Sequence, residues 1–131
     1  MSETQRPTQR PTKGTSPTTH LTIKRIAALS AAVAIMVGAF GAHGLSGKPA
    51  EWLNTGARYQ LTHAVAILVS LSLTRGVRPA QLFVVGTALF SGSLYAMAMG
   101  APRVLGAITP LGGLAFIAGW LTLAFTFSEE R

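Results

Sequence analysis

The sequence predicts an all-α, polytopic membrane protein: four transmembrane helices in one antiparallel bundle, with the N and C termini both cytoplasmic. Three observations carry this expectation. Four stretches, residues 26–45, 59–74, 79–102 and 104–128, hold almost no charge, and a crossing helix needs about 20 mostly apolar residues at ~1.5 Å rise each. Charged residues stand between these stretches: Lys24 and Arg25, then Lys48, Glu51 and Arg58, then Arg75 and Arg78, then Arg103, then Glu129. Only 11% of the 131 residues are charged and 49% are hydrophobic, whereas a soluble domain carries about 25% charged residues.

Roughly 80 residues of spanning segment leave no room for a separate soluble domain. The chain therefore divides into a basic Thr/Pro-rich tail, residues 1–22, and a membrane domain, residues 23–128. Within the tail, Thr4-Gln5-Arg6-Pro7 repeats at once as Thr8-Gln9-Arg10-Pro11. Such a segment buries too little apolar surface to offset its ordering entropy, so it is expected to be disordered. The net charge of +7 comes from basic residues that flank apolar segments. That distribution suits a membrane and not a nucleic acid, which needs one basic patch. With the N-terminus inside, eight Lys and Arg fall on the cytoplasmic side and three, Lys48, Arg58 and Arg103, on the other, as the positive-inside rule requires. The chain has no cysteine, which removes disulfides and thiolate metal sites. The first apolar run follows Lys24-Arg25 as a signal peptide would, but it is longer than a signal core and lacks a clear cleavage site, so it reads as a retained span.

Each element has its own warrant. Helix 1, about 23–45, repeats small residues at Ala34, Gly38 and Ala42, a spacing that lets helix backbones approach closely. The link 48–58 reads as an interfacial helix running directly into helix 2: Pro49 suits a first turn and Trp52 a headgroup anchor, while Gly56 marks a candidate break. Helix 3 covers about 80–99, with Gly92, Ala96 and Gly100 as a second small-residue stripe. The short link 75–79 makes helices 2 and 3 antiparallel neighbours. Helix 4 either begins near Val104 and kinks at Pro110, or starts with Thr109 as N-cap and Pro110 as first helical residue. The second choice is preferred; it makes residues 100–108 a loop and ends helix 4 near Phe127.

The polar residues then fall at one depth. His43 ends helix 1; Tyr59, Gln60 and His63 open helix 2; Ser91, Ser93 and Tyr95 lie in the outer half of helix 3; Thr109 tips helix 4. All are expected in the outer third of the membrane, where mutual pairing would offset the cost of polar groups in lipid. The inner halves read as plain apolar packing. No Asp or Glu lies within a span, which argues against a carboxylate proton relay. Three readings of the cluster stay open. One is a hydrogen-bonded cap that fixes helix register. A second is a small pocket or a carrier or channel element for a polar or anionic solute. A third, resting only on two histidines, is bis-histidine haem ligation by His43 and His63. No other cofactor and no metal is expected. Neither a nucleophile–base spacing nor a carboxylate pair points to an enzyme.

Four motifs occur in order: Gly38-Ala39-Phe40-Gly41-Ala42-His43-Gly44-Leu45; Tyr59-Gln60-Leu61-Thr62-His63-Ala64; Phe90-Ser91-Gly92-Ser93-Leu94-Tyr95; and Ile108-Thr109-Pro110-Leu111-Gly112-Gly113 ahead of Gly119-Trp120. Together they make residues 26–127 resemble the small four-span bacterial membrane family called domain of unknown function 423. The resemblance implies a four-helix bundle in the bacterial cytoplasmic membrane and implies no reaction. It marks His43, Tyr59, Gln60, His63, Ser91, Ser93, Tyr95, Thr109 and Pro110. Gly38, Gly41, Gly92, Gly112, Gly113 and Gly119 are the expected packing positions. The function expected is that of a structural or accessory membrane component. Its partners are the lipid bilayer and, since four short helices enclose a narrow bundle, further copies of the chain or another membrane protein.

Overall fold

The computed structural model describes residues 15–129; the expectation for residues 1–14 lies outside the described residues. The first helix, α1, spans Pro17–His43, so residues 17–22 are helical and not part of the tail. The reason is local. Ser16 has extended backbone, its side chain accepts from the Thr19 N–H, and Pro17 occupies the first turn, a combination that starts a helix upstream of the apolar run. Only Ile23, Ala27, Ala34 and Gly41 of α1 are buried. They form one narrow seam, while Leu29, Ile35, Met36 and Phe40 are exposed. A helix apolar all round with one small-residue seam suits hydrocarbon on its outer face.

After a turn at Gly44-Leu45-Ser46, α2 spans Gly47–Leu73. It is one continuous helix, as the interfacial-helix reading anticipated, and it does not break at Gly56. The glycine instead admits a neighbour: a Cβ there would stand 2.5 Å from Cε1 of Tyr95. The link 74–77 is held by the Thr74 hydroxyl, 3.0 Å from the Ser70 carbonyl and 2.9 Å from that of Gly76. The third helix, α3, spans Arg78–Ala98. Gly100, at φ 98°, turns the chain into a 3-10 turn, Arg103–Ala107, within what was expected to be plain loop. The last helix, α4, spans Thr109–Glu129.

Thr109 is not the N-cap. The Ile108 carbonyl already accepts from the N–H groups of Leu111 and Gly112, so Thr109 is inside the first turn, and its hydroxyl lies 2.6 Å from Ser93 Oγ. The side chain thus ties α4 to α3 and leaves the helix end to backbone bonds.

Packing follows chain order: α1 lies on α2, α2 on α3, and α3 on α4. The α3–α4 contact is reciprocal. Phe83 covers Gly119, Phe116 covers Gly86, and Phe90 covers Gly112. A Cβ on Gly86 would stand 2.5 Å from Phe116, and one on Gly119 2.6 Å from Phe83. At Gly112 it would meet the backbone of Phe90. Gly41 of α1 is similarly close to Asn54 and Leu53. Gly92 and Gly113 have nothing within 4 Å, so they line no contact inside the chain. Ile23, Ala27, Ile67, Phe83 and Phe116 join in one core cluster drawn from all four helices. Among the described residues, three stretches are long and apolar enough to cross a membrane: Pro17–His43, Arg78–Ala98 and Arg103–Phe127. The helix α2 falls short because it carries Lys48, Glu51, Asn54, Arg58, Gln60 and His63.

The interlock predicts that Gly112→Ala lowers bundle stability by about 1–3 kcal/mol, the usual cost of overpacking, whereas Gly113→Ala changes it by less than about 0.5 kcal/mol. Unfolding in detergent followed by circular dichroism measures both. Equal losses at the two positions would contradict the interlock.

Candidate functional site: a buried polar network

The network begins with the midpoints of two helices. Ser30 lies 13 residues from either end of α1 and Gln60 13 residues from either end of α2, so an antiparallel pair brings them level. The Gln60 amide donates to the Ser30 carbonyl at 3.1 Å and to Ser30 Oγ at 3.0 Å. Its Oε1 accepts from the Tyr95 hydroxyl at 2.5 Å. The amide therefore spends both donors and one acceptor on two neighbouring helices. One turn higher, Ser91, 1% exposed, donates to the Gly56 carbonyl at 2.7 Å. The same Gly56 lies under the Tyr95 ring. Ser93 and Thr109 close the α3–α4 edge.

His63 forms a second centre. It is 5% exposed, and its ring is stacked on Phe116, with centroids 3.5 Å apart and planes 8° from parallel. Phe83 packs on the same ring at 5.5 Å. Nδ1 lies 2.7 Å from the Tyr59 carbonyl, and the Trp120 indole N–H donates to Nε2 at 3.3 Å. A carbonyl can only accept and an indole can only donate, so the ring carries its hydrogen on Nδ1 and offers its lone pair at Nε2. Both nitrogens are engaged inside the bundle.

The structure brings together Gln60, Tyr95, Ser91, Ser93 and Thr109, with His63 one turn below Gln60. It does not bring in His43, the exposed last residue of α1. Iron ligation through Nε2 would cost His63 its Trp120 contact, and His43 is exposed at the end of α1. Tyr59 is 43% exposed; it enters through its carbonyl, which accepts from His63, and through its ring, 4.4 Å from Phe90, while no hydrogen bond to its hydroxyl is found among the described residues. Pro110 is exposed in the first turn of α4. Along the helices, Gln60 and its partner Ser30 are both mid-helix. Gln60 is central because α2 starts at Gly47, well before its uncharged stretch.

Three residues escaped the sequence reading: Ser30, Phe116 and Trp120. Ser30 carries a usable signal, a hydroxyl inside an apolar span, but it stands only five residues past Arg25, in a half that reads as plain apolar packing. Trp120 was visible only as a motif residue. Its indole meets His63 because the α3–α4 interlock sets the rotation of α4. Among the described residues no three His, Cys, Asp or Glu gather as a metal group. The one buried side-chain oxygen without a partner among them is Thr87 Oγ1. With Ser30 and Ile67 it lines a small cleft of about 200 Å³. The arrangement can hold helices in register; it offers no nucleophile with an adjacent base.

A double-mutant cycle of Gln60→Leu and Tyr95→Phe is expected to give a coupling of about 0.6 kcal/mol, at most ~1.7, the range for hydrogen bonds between membrane helices. His43→Ala and His63→Ala are expected to be additive. Coupling between the two histidines, or none between Gln60 and Tyr95, would contradict the geometry.

Comparison with known proteins agrees with the motifs. The family described as "Protein of unknown function (DUF423)" matches residues 37–113, which take in all of α2 and α3. A membrane protein of Haemophilus influenzae, "UPF0382 membrane protein", is 44% identical over 109 residues, 76% of this chain and 88% of that protein. The Bacillus subtilis "UPF0382 membrane protein YwdK" is 43% identical, over 75% of this chain and 89% of that protein. The Escherichia coli "UPF0382 inner membrane protein YgdD" is 38% identical, over 72% of this chain and 79% of that protein. No solved structure matches. The polar network, the Phe–Gly interlock and these likenesses occupy the same helices, and the chain belongs to the family of small helical membrane proteins described as "Protein of unknown function (DUF423)".

Proposed function

We propose that the chain is a structural or accessory component of the bacterial cytoplasmic membrane, spanning it four times with both termini inside, and that its polar network is a register lock. The observation that carries this reading is closure. Gln60, Ser91, Ser93 and His63 all bond within the chain, and glycine contacts fill the space between α3 and α4. A carrier for a polar solute needs polar groups that a solute can reach.

The packing of α2 supports four spans. It lies against both α1 and α3, from Leu53 to Leu71 its buried residues recur along one side, and a helix packed along two spans shares their depth. Its Gln60 and His63 side chains are tolerable there because neighbouring helices satisfy them. The resulting orientation puts Lys24, Arg25, Arg75 and Arg78 on the cytoplasmic side, as the positive-inside rule favours. The names of the relatives, membrane or inner membrane proteins, support the location.

The cysteine-free sequence makes the topology directly testable. Ser46→Cys is expected to react with a membrane-impermeant maleimide added outside spheroplasts, and Gly76→Cys only after lysis. Reaction of both from one side would sink the four-span reading. For the register lock, vesicles holding the purified chain are expected to pass small anions no faster than protein-free vesicles. Flux that vanishes in His63→Ala and survives in Ser72→Ala would favour a carrier.

A further inference from the structure

The network leaves one strongly polar side chain of α2 aside. Arg58 is exposed on the flank of α2 that meets α1. It lies six residues past Trp52 on the same helix, about 9 Å at helical rise, below the headgroup level that Trp52 marks. A cleft of about 350 Å³ opens beside it, lined among others by Ala34, Gly38, Ala39, Asn54 and Leu61. Asn54 stands one turn above Arg58 on the same face and is partly buried. Among the described residues neither side chain has an ion-pair or hydrogen-bond partner. The one ion pair is Lys48 with Glu51, at 2.9 Å, and Glu129 closes α4 at the opposite end of the bundle.

A guanidinium at this depth needs an anion, and the described residues offer none nearby. Among the described residues a second copy adds only Glu51 in this half, likewise tied to Lys48. An anion from outside the protein meets that need. We propose that the cleft binds one anionic phospholipid. Arg58 and Asn54 donate to its phosphodiester oxygens, drawn down from the headgroup layer on the side of Ser46, and an acyl chain runs inward along Ala34 and Ile35 beside Leu61. Three physical features fit that ligand. The guanidinium fork matches phosphate oxygens in pairs. The arginine stem leaves α2 toward its N-terminus, which is toward the headgroups. The polar pair sits above an apolar trough, in the order head then tail. A zwitterionic lipid carries its own cation and compensates Arg58 less well. The inference rests on the four-span reading, since it needs α2 in lipid.

Native mass spectrometry of the full chain, released from nanodiscs of equal phosphatidylglycerol and phosphatidylcholine, tests it. Retention of one phosphatidylglycerol is expected to exceed that of phosphatidylcholine about fivefold, the ratio one cation near an anionic lipid supplies. Arg58→Gln is expected to bring the two to parity, Arg58→Lys to fall between, and Arg78→Gln to retain the preference. Helical circular dichroism and a monodisperse elution profile verify that each variant is folded. Parity in the unaltered chain, or a preference that survives Arg58→Gln, overturns the site. A third arm adds excess inorganic phosphate. If phosphate displaces the lipid and is itself retained through Arg58, the anion is a soluble one and the lipid assignment falls. Failure of the topology would show separately, as Ser46→Cys and Gly76→Cys labels on one side, whatever the lipid ratio.

Discussion

A polar side chain buried in a helical bundle must find its hydrogen bonds inside it, and the architecture answers to that constraint at α2. This helix carries Gln60 and His63 through the centre of the bundle. Each unpaired polar group in lipid costs several kcal/mol on the order of a lost hydrogen bond to water, so the helices around it are arranged to receive them. Ser30 comes from α1, Tyr95 and Ser91 from α3, Trp120 from α4. The polar helix is wrapped by the apolar ones, the reverse of a soluble bundle. The large exposed hydrophobic residues of α1 and α4, among them Leu29, Met36, Leu114 and Phe125, form the outer face that such a protein presents to lipid.

Close approach does the rest. In a membrane, apolar burial does not drive helices together, so contact area and shape carry more of the association. Phe83, Phe90 and Phe116 each reach over a glycine of the facing helix. That gives α3 and α4 both register and rotation. The rotation then sets where Phe116 and Trp120 present themselves to His63. Packing on one side of α3 thereby fixes hydrogen bonding on the other side of the core.

Most of the architecture was legible in the chain. Charge punctuation gave the four helices, and Pro49 with Trp52 gave the continuity of α2, because these signals are local. The start of α1 was missed by six residues since hydropathy outweighed the Ser16-Pro17 cap. The Thr109 hydroxyl was read as a cap because Thr-Pro so often opens a helix. Here a side chain of another helix, Ser93, competes for it. The site was legible in part. Gln60, Ser91 and Tyr95 could be named from their cost in lipid, whereas Ser30 could not be paired with Gln60 until the length of α2 was known. The role of each glycine was equally hidden. Gly112 and Gly113 are neighbours of the same type, and only the facing Phe90 distinguishes them.

The reciprocal pairs carry an evolutionary corollary. A phenylalanine over a glycine is a two-residue unit: enlarging the small partner is tolerable only when the large one shrinks in the same lineage. Positions 83 and 119, and 86 and 116, are therefore bound to drift as linked couples or to stay frozen, whereas position 112, pressed on the backbone at 90, stays small whatever stands opposite. Position 113, one step away on the open side of α4, is free to wander alone.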